Sequence, residues 1–520
     1  MMNIIEKIRI KNFKRFKNFE VIFDEKMNVI IGDNEAGKST ILQAIDLVCS
    51  GSRNKIETLG LDNLFNREVI IEYLSTNRDI SRLPSLEIEL YLSEQSDPDL
   101  SGKNNSEKKN CCGLSLICKP NEDLLHLIPT LLNNGDNFPF EFYDIKFKTF
   151  ADLNYNNYKK YIRHLSIDSS QINNESATRY YIKTIYESTV MHEDRLAHRN
   201  QYRNSKINFT KNILGGINKC LPDYKFDIRS DSKSNLGTDL TITENNVPIE
   251  HRGKGRQSTI KIEFALKRYE SADSLDILLL EEPENHLSHI NMKRLIENIK
   301  KTSSKQIFIA THSSLISSRL NLHNSIILNS TSFNPVLLRN LPIDTANFFT
   351  KAPDNNILEF ILSDKVVLVE GDAEFIFMDI LFKNSTGKSL EEAKIHIISV
   401  GGLSFKRYLD IAKLLSIKVA VIRDNDGDFQ RNCIDNYDEY QSDNIKIFFD
   451  NNNENKTFEI CIYNENKTAC DNVVKMKKTK KKTLEYMLDN KADFALKFIS
   501  NNEEIVPPKY INEACKWISK

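Results

Sequence analysis

Residues 27–40 read MNVIIGDNEAGKST. The run MNVII has the look of a short buried strand and ends at Gly32. GDNEAGKST at 32–40 then fits the pattern G-x-x-x-x-G-K-[ST], and STILQAIDLV at 39–48 carries apolar residues at helical spacing. Strand, glycine-bounded loop and helix thus follow one another directly. Glycines let backbone N–H groups turn inward around phosphates, and a helix start presents its positive end to an anion. Lys38 can reach phosphate oxygens and Ser39 can ligate Mg²⁺. Gly32, Asp33, Asn34, Glu35, Ala36, Gly37, Lys38, Ser39 and Thr40 are therefore expected to line a nucleotide site for ATP.

Three later stretches extend that reading. DILLLEEPENHL at 276–287 is an apolar strand that delivers Glu281 and Glu282 at its C-terminal end, where α/β sheets place ligands. Glu281 is expected to hold the Mg²⁺ shell and Glu282 to polarise an attacking water. QIFIATHSS at 306–314 ends a second strand in Thr311-His312, with His312 placed for a γ-phosphate. HRGKGRQS at 251–258 sets two glycines, Gly253 and Gly255, before a helical pattern, a second anion-binding arrangement. From about 150 to 215 the text turns rich in Tyr, Asn, Lys and Arg at helical spacing, which predicts a helical insertion. It reads as a solvent-exposed arm or as a dimerisation element.

Past a boundary near 342–356, strands at 365–370, 395–400 and 418–424 alternate with helices at 373–383 and 403–415, which predicts a parallel sheet with helices on its faces. Its carboxylates sit at strand ends. VVLVEGDAE at 366–374 carries Glu370 and Glu374; VAVIRDNDGD at 419–428 carries Asp424 and Asp426. Alternate residues of an extended segment point the same way, so Asp424 and Asp426 are expected to converge. Hard oxygen donors suit Mg²⁺ or Mn²⁺, and acids from neighbouring strands can hold two ions astride a phosphate. Glu370 reads as a ligand or as a general base. Lys475, Lys477, Lys478, Lys480, Lys481 and Lys482 form a basic run that fits a phosphate-backbone contact or a solvated loop equally.

The first set of motifs resembles the ABC-type ATPase head of SMC-like DNA-repair proteins, in which a Gly-rich signature of one subunit closes over the ATP of another. Gly253, Gly255, Gln257 and Ser258 match that position but depart from the usual text. The second set, with Gly401-Gly402 after its second strand, resembles the Toprim fold. Their order resembles the OLD (overcoming lysogenization defect) family of ATP-dependent nucleases. The resemblance implies an ABC-type ATPase head over 1–350 with a helical dimerisation insertion, followed by a Toprim nuclease domain with a parallel sheet over 357–520. It further implies a metal-dependent DNA endonuclease regulated by ATP. KTFEICIY at 456–463 is similar to a family segment, making Glu459 a third-strand metal ligand, with Glu485 of TLEYML its rival. KADFALKF at 491–498 is similar to another, making Lys491 a catalytic cation. Within the family the likeness runs to the nuclease subunit of Gabija-type anti-phage systems. That implies double-stranded DNA as substrate, a homo-oligomer (dimer or tetramer) and a superfamily 1 helicase-like partner.

Composition sets the outer limits. The 520 residues, 40% hydrophobic and 28% charged, describe a multidomain globular chain. Lys+Arg total 71 against Asp+Glu 72, a net charge of −1 that excludes a uniformly basic nucleic-acid coat but not a local basic channel. No apolar run nears the ~20 residues that span a bilayer, and the N-terminal stretch lacks an apolar signal core. The nine cysteines show no CxxC spacing and fit reduced thiols in a cytoplasm.

Overall fold

A computed structural model describes residues 4–520 apart from 95–96, 135–136, 160, 170–177, 180–181, 184, 188–189, 222, 232–234, 269–275, 286, 302–304, 314–315, 317–319, 321, 330–333, 352–355, 403, 476–480 and 502–503. The chain forms two compact units, residues 1–316 with 324–335, and 317–323 with 336–520.

Strands of the first unit run in chain order β1 (Ile5–Phe13), β2 (Phe16–Ile22), β3 (Met27–Gly32), β4 (Leu86–Leu92), β5 (Cys111–Pro120), β6 (Tyr143–Thr149), β7 (His164–Asp168), β8 (Ile277–Glu281), β9 (Gln306–Thr311) and β10 (Ser325–Leu328). An antiparallel sheet takes the order β2–β1–β4–β5–β6. A parallel sheet takes the order β10–β3–β9–β8–β7. The middle strands of the parallel sheet are near-continuous apolar runs because both of their faces are covered: Val29 to Ile31, Ile277 to Leu280 and Ile307 to Ile309 are buried. Parallel register brings the C-terminal ends together. Thr311 stands opposite Ile31, Glu281 opposite Ala310, and Asp168 opposite Glu281. Helix α1 (Lys38–Ser50) follows β3 and buries Ile41, Leu42, Ile45 and Val48.

Among the described residues, the insertion expected over 150–215 is helical only in its later part. Residues His164–Asp168 form edge strand β7, with Leu165 and Ile167 buried. The period-2 signal is two apolar residues long, too short to stand out from the polar text around it. Helix α2 (His192–Phe209) supplies most of the helical part. Helix α3 (Lys254–Arg268) starts before Gly255, so Gly255 sits in its first turn and not ahead of it as expected. That first turn is tied locally: Arg256 pairs with Glu244, and the Gln257 amide donates to Arg252 O at 2.7 Å.

In the second unit β11 (Lys365–Val369), α4 (Asp372–Thr386), β12 (His396–Ser399), α5 (Phe405–Leu415), β13 (Lys418–Ile422) and β14 (Ile445–Phe448) make a parallel sheet in the order β12–β11–β13–β14. Helices α6 (Phe458–Glu465), α7 (Lys491–Asn501) and α8 (Lys509–Ser519) follow. One core joins sheet and helices: Val367, Val369 and Ile422 pack with Phe377, Phe458, Phe494, Phe498 and Ile511. Burying aromatics of this size is worth ~1.5–3 kcal/mol each, so the core fixes α4, α6 and α7 against the strand ends. Among the described residues no helix is long and apolar enough to cross a membrane.

Candidate functional site

The nucleotide loop lies between β3 and α1. Gly37 has φ +101°, and a Cβ there would fall 2.6 Å from Phe16 Cζ and 2.8 Å from Arg15 Cδ. A Cβ on Gly32 would fall 2.4 Å from Leu328 O. Both positions therefore exclude any side chain. Lys38 Nζ donates to Gly32 O at 2.7 Å and Asp33 O at 2.9 Å, so the ammonium bridges the loop beneath its own helix start. A cavity of about 300 Å³ is lined by Lys14, Arg15, Asn34, Glu35, Gly37, Lys38, Ser39, Thr40 and Glu282. Ala36 is buried under the loop. Lys14 and Arg15 belong to no motif. They arrive from the β1–β2 turn, where Arg15 donates to Glu35 O.

The strand ends bring the acids in. Burial raises the Glu281 pKa; Asp168 and Glu282 raise it further, while a hydrogen bond from Ser39 opposes them. Asp168 joins because β7 pairs with β8, a neighbour the sequence did not suggest. Glu282 takes a left-handed backbone, φ +44°, and accepts from Asn285 Nδ2 at 2.7 Å. His312 Nδ1 lies 3.3 Å from Glu282 Oε1, so β8 and β9 present this pair together. Glu284, also outside the expected set, is buried and accepts from Thr311 Oγ1 at 2.5 Å and His312 N at 3.2 Å. It fixes the end of β9 to the turn after β8. Rigid glycines, a buried-stem lysine, a helix start and two acid-bearing strand ends suit a nucleoside triphosphate with its Mg²⁺.

The second unit gathers its carboxylates at the C-terminal edge of its sheet. Glu370 follows β11, and its carbonyl accepts from Gly401 N at 3.1 Å. Glu374 sits in the first turn of α4 and Glu459 in the first turn of α6. Glu459 is thus a helix residue and not the third-strand residue expected, because Phe458 and Ile462, four apart, both enter the core. Its rival Glu485 is exposed. Asp424 Oδ1 accepts from Phe458 N at 2.8 Å. Glu374 is pushed up to about 7, first by burial and then by Glu459 and Glu370. Asp424 is pushed up to about 8, first by burial and then by Glu374, Glu370 and Glu459. Lys491, at the start of α7, places Nζ 3.1 Å from Glu459 Oε1 as an ion pair.

Asp424 and Asp426 do not converge as expected. Asn425 between them is buried, with its amide donating to Asp450 O at 2.8 Å and Asn452 O at 3.0 Å. Asp426 then turns through φ +51°. The extended-chain rule fails because the chain is no longer extended there. Asp426 instead accepts from Arg423 Nη2 at 2.8 Å, while Arg423 Nη1 donates to Glu370.

Among the described residues, no group of three or more His, Cys, Asp or Glu side chains stands as a ready coordination shell. The donor chemistry still suits a hard divalent cation. Glu459 is 3% exposed and is paired with the Lys491 ammonium, while neither carboxylate oxygen accepts an aligned hydrogen bond. Of the lysine run, residues 477, 478 and 480 lie outside the described residues; Lys481 pairs with Asp489 at 2.5 Å.

Comparison with known proteins gives a matching pattern. The AAA ATPase domain model matches residues 2–217 and 152–316, and the model described as overcoming lysogenization defect protein-like, Toprim domain, matches 361–426. An ATP/GTP phosphatase of Helicobacter pylori is 25% identical over 327 residues, 60% of this chain and 85% of that protein. The Old nuclease of Escherichia phage P2 is 26% identical over 196 residues, 34% of this chain; the match spans about a third (33%) of that nuclease. An SMC head domain from Thermotoga maritima aligns with a TM-score of 0.29 at 14% identity, over 62% of this chain and 94% of its own. With the ATPase model covering more than half of its length and a Toprim domain of the overcoming lysogenization defect type behind it, the chain belongs to the OLD family of ATPase–Toprim proteins.

Proposed function

We propose that the chain is an ATP-regulated, metal-dependent DNA endonuclease that cuts double-stranded DNA by phosphodiester hydrolysis. The observation that carries this reading is the buried carboxylate group Glu374, Asp424 and Glu459 facing Lys491. Burial first, and then their acidic neighbours, leave Glu374 and Asp424 holding protons near neutrality, which is unfavourable unless a cation or a reaction uses them. Glu370, Glu374, Asp424, Asp426 and Glu459 would hold Mg²⁺ or Mn²⁺, which supplies an activated water and charge neutralisation at a phosphate.

The chain's own residues do the rest. Lys491, half-exposed, contributes positive charge where a pentacovalent phosphate gains negative charge. Asp424 is held by the Phe458 amide, so its carboxylate keeps one orientation. At the other site Lys38, Gly37 and the start of α1 bind triphosphate, Glu281 and Ser39 orient its ion, and Glu282 with His312 orients water. Action on invading phage DNA, a helicase-like partner, a cytoplasmic setting and a homo-oligomer with Gly255 contributed in trans extend the proposal through the Gabija-type likeness.

One observation favours a second reading, a DNA-binding ATPase that does not cut. Arg423 and Lys491 already neutralise part of the acid group. Incubating purified protein with supercoiled and linear DNA, with Mg²⁺ or Mn²⁺ and with or without ATP, separates the two. Nicked or linear product that disappears in Asp424→Ala supports the endonuclease. DNA binding without product supports the second reading.

A further inference from the structure

Arg423 is the member of the Toprim site that no motif announces. It follows β13 directly, and its side chain is 6% exposed. The guanidinium spans two carboxylates: Nη1 donates to Glu370 Oε2, and Nη2 donates to Asp426 Oδ2 at 2.8 Å. Buried Nε has no aligned partner. Tyr437, also buried, lies against the same group.

The remaining acids are compensated differently. Glu374, Asp424 and Glu459 share Lys491, whose side chain is 48% exposed. The site therefore divides into two halves. In one, three acidic side chains face one half-exposed ammonium; in the other, two carboxylates face one buried guanidinium. A lysine is a point charge on a flexible stem and withdraws easily. An arginine fork is planar, permanently charged and matched to two carboxylates at once. A divalent ion entering the first half meets three acidic side chains whose cationic partner is half-exposed. One entering the second half must displace a fitted cation.

We propose that Arg423 is a positioning residue acting as an internal counter-cation: it holds Glu370 and Asp426 together and competes with a divalent ion for them. The Glu374–Asp424–Glu459 half then takes the ion first, and the Glu370–Asp426 half takes it weakly. This inference rests on the reading of the acid group as a divalent-metal site. Arg423 makes that half responsive to anything that draws the guanidinium away, a DNA phosphate above all, since a guanidinium pairs with phosphate as readily as with carboxylate.

The test is calorimetric titration of Mn²⁺ into the full chain without DNA, for the native protein, Arg423→Gln and Arg423→Lys, with Tm followed at each Mn²⁺ concentration. Expected are two affinity classes in the native protein. In Arg423→Gln the weaker class tightens by about tenfold or more and the Tm gain on saturation grows. Arg423→Lys, which keeps charge but loses the fork, tightens it by a smaller factor and serves where the glutamine variant does not fold. Unchanged or weaker Mn²⁺ binding in the variants, with an unchanged Tm gain, overturns the inference and leaves the metal site standing. Absence of Mn²⁺ binding in the native protein and the variants alike overturns the metal-site reading itself.

Discussion

Lys491 and Glu459 form a lopsided pair: Nζ stands 3.1 Å from Oε1, the lysine side chain is 48% exposed, and the glutamate side chain only 3%. The two helix starts that carry them are fixed by Phe458 and Phe494, both buried in one core. The attraction is screened on the lysine side. The desolvation of Glu459 is not, so the lysine matters chiefly as the partner of a charge already committed to the interior.

Removing the lysine alone should therefore cost more than removing both charges. Lys491→Met is expected to destabilise the metal-free protein by about 1–3 kcal/mol, and Glu459→Gln to stay within about 1 kcal/mol of native. The double variant should recover most of the loss. Urea unfolding in chelator measures all three, and a double variant no more stable than Lys491→Met contradicts the account.

Metal-free stability should fall as pH rises through neutrality. Glu374 and Asp424 have folded pKa values of about 7 and about 8, above the usual carboxylate range. Between pH ~4 and ~8 the native state thus binds protons that the unfolded chain has released, and the slope of stability with pH is negative. Their contribution is fully present below pH ~4 and lost as pH passes 7 to 8. Thermal melts in chelator across that window should show declining Tm, and Asp424→Asn should flatten the decline. A Tm that rises from pH 5 to 8 with no difference in Asp424→Asn would falsify the assignment.

The strands and the phosphate loop were legible because each is a local pattern: MNVII before two glycines, LDILLLE before two acids, alternating βα text after 357. The parallel Toprim sheet followed from that alternation. What escaped depended on tertiary pairing or on single backbone angles. Asp168 reaches Glu281 only because a five-residue edge strand pairs there. Asp426 leaves Asp424 because Asn425 is anchored to the 450–452 loop. Arg423 could have been noticed as a cation beside two acidic residues, a signal that is ordinarily a surface salt bridge. The third-strand placement of Glu459 came from the likeness of its segment to the family's, and FEICIY, apolar at either period, does not by itself separate the helix from a strand.

The two rival acids separate cleanly by position. Glu459 is buried beside Asp424 and Lys491, and Glu485 is exposed in the first turn of helix Thr483–Asp489. Glu459→Ala is expected to lower the nicking rate by about 100-fold or more, the scale of losing one group at a reacting centre, whereas Glu485→Ala should stay within about twofold. Rates on supercoiled plasmid at fixed Mn²⁺ check this; the reverse order would move the site.

Gly37→Ala should damage the ATP site through shape alone. The substitution forces a side chain into φ +101° and against Phe16 and Arg15, at a cost of about 1–2 kcal/mol for the backbone before the clash is counted. Fluorescent-nucleotide titration should show binding lost or weakened at least about tenfold while the Toprim unit's Mn²⁺ binding is unchanged. Equal nucleotide affinity in the variant would mean the loop tolerates a Cβ that the packing excludes.

Glu282 allows binding and hydrolysis to be pulled apart. Its carboxylate is held by Asn285 and lies 3.3 Å from the His312 ring, while Lys38 is tied to the loop carbonyls. Glu282→Gln keeps size and hydrogen bonding but loses the charge that orients water, so nucleotide affinity should hold within about threefold and ATP hydrolysis should fall by about 100-fold or more. Lys38→Ala should lose binding and hydrolysis together. Nicking assayed in ATP then distinguishes two couplings. If bound nucleotide gates the Toprim site, Glu282→Gln behaves as native protein held in the ATP state and differs from Lys38→Ala. If hydrolysis drives cleavage, the two variants show the same nicking rate.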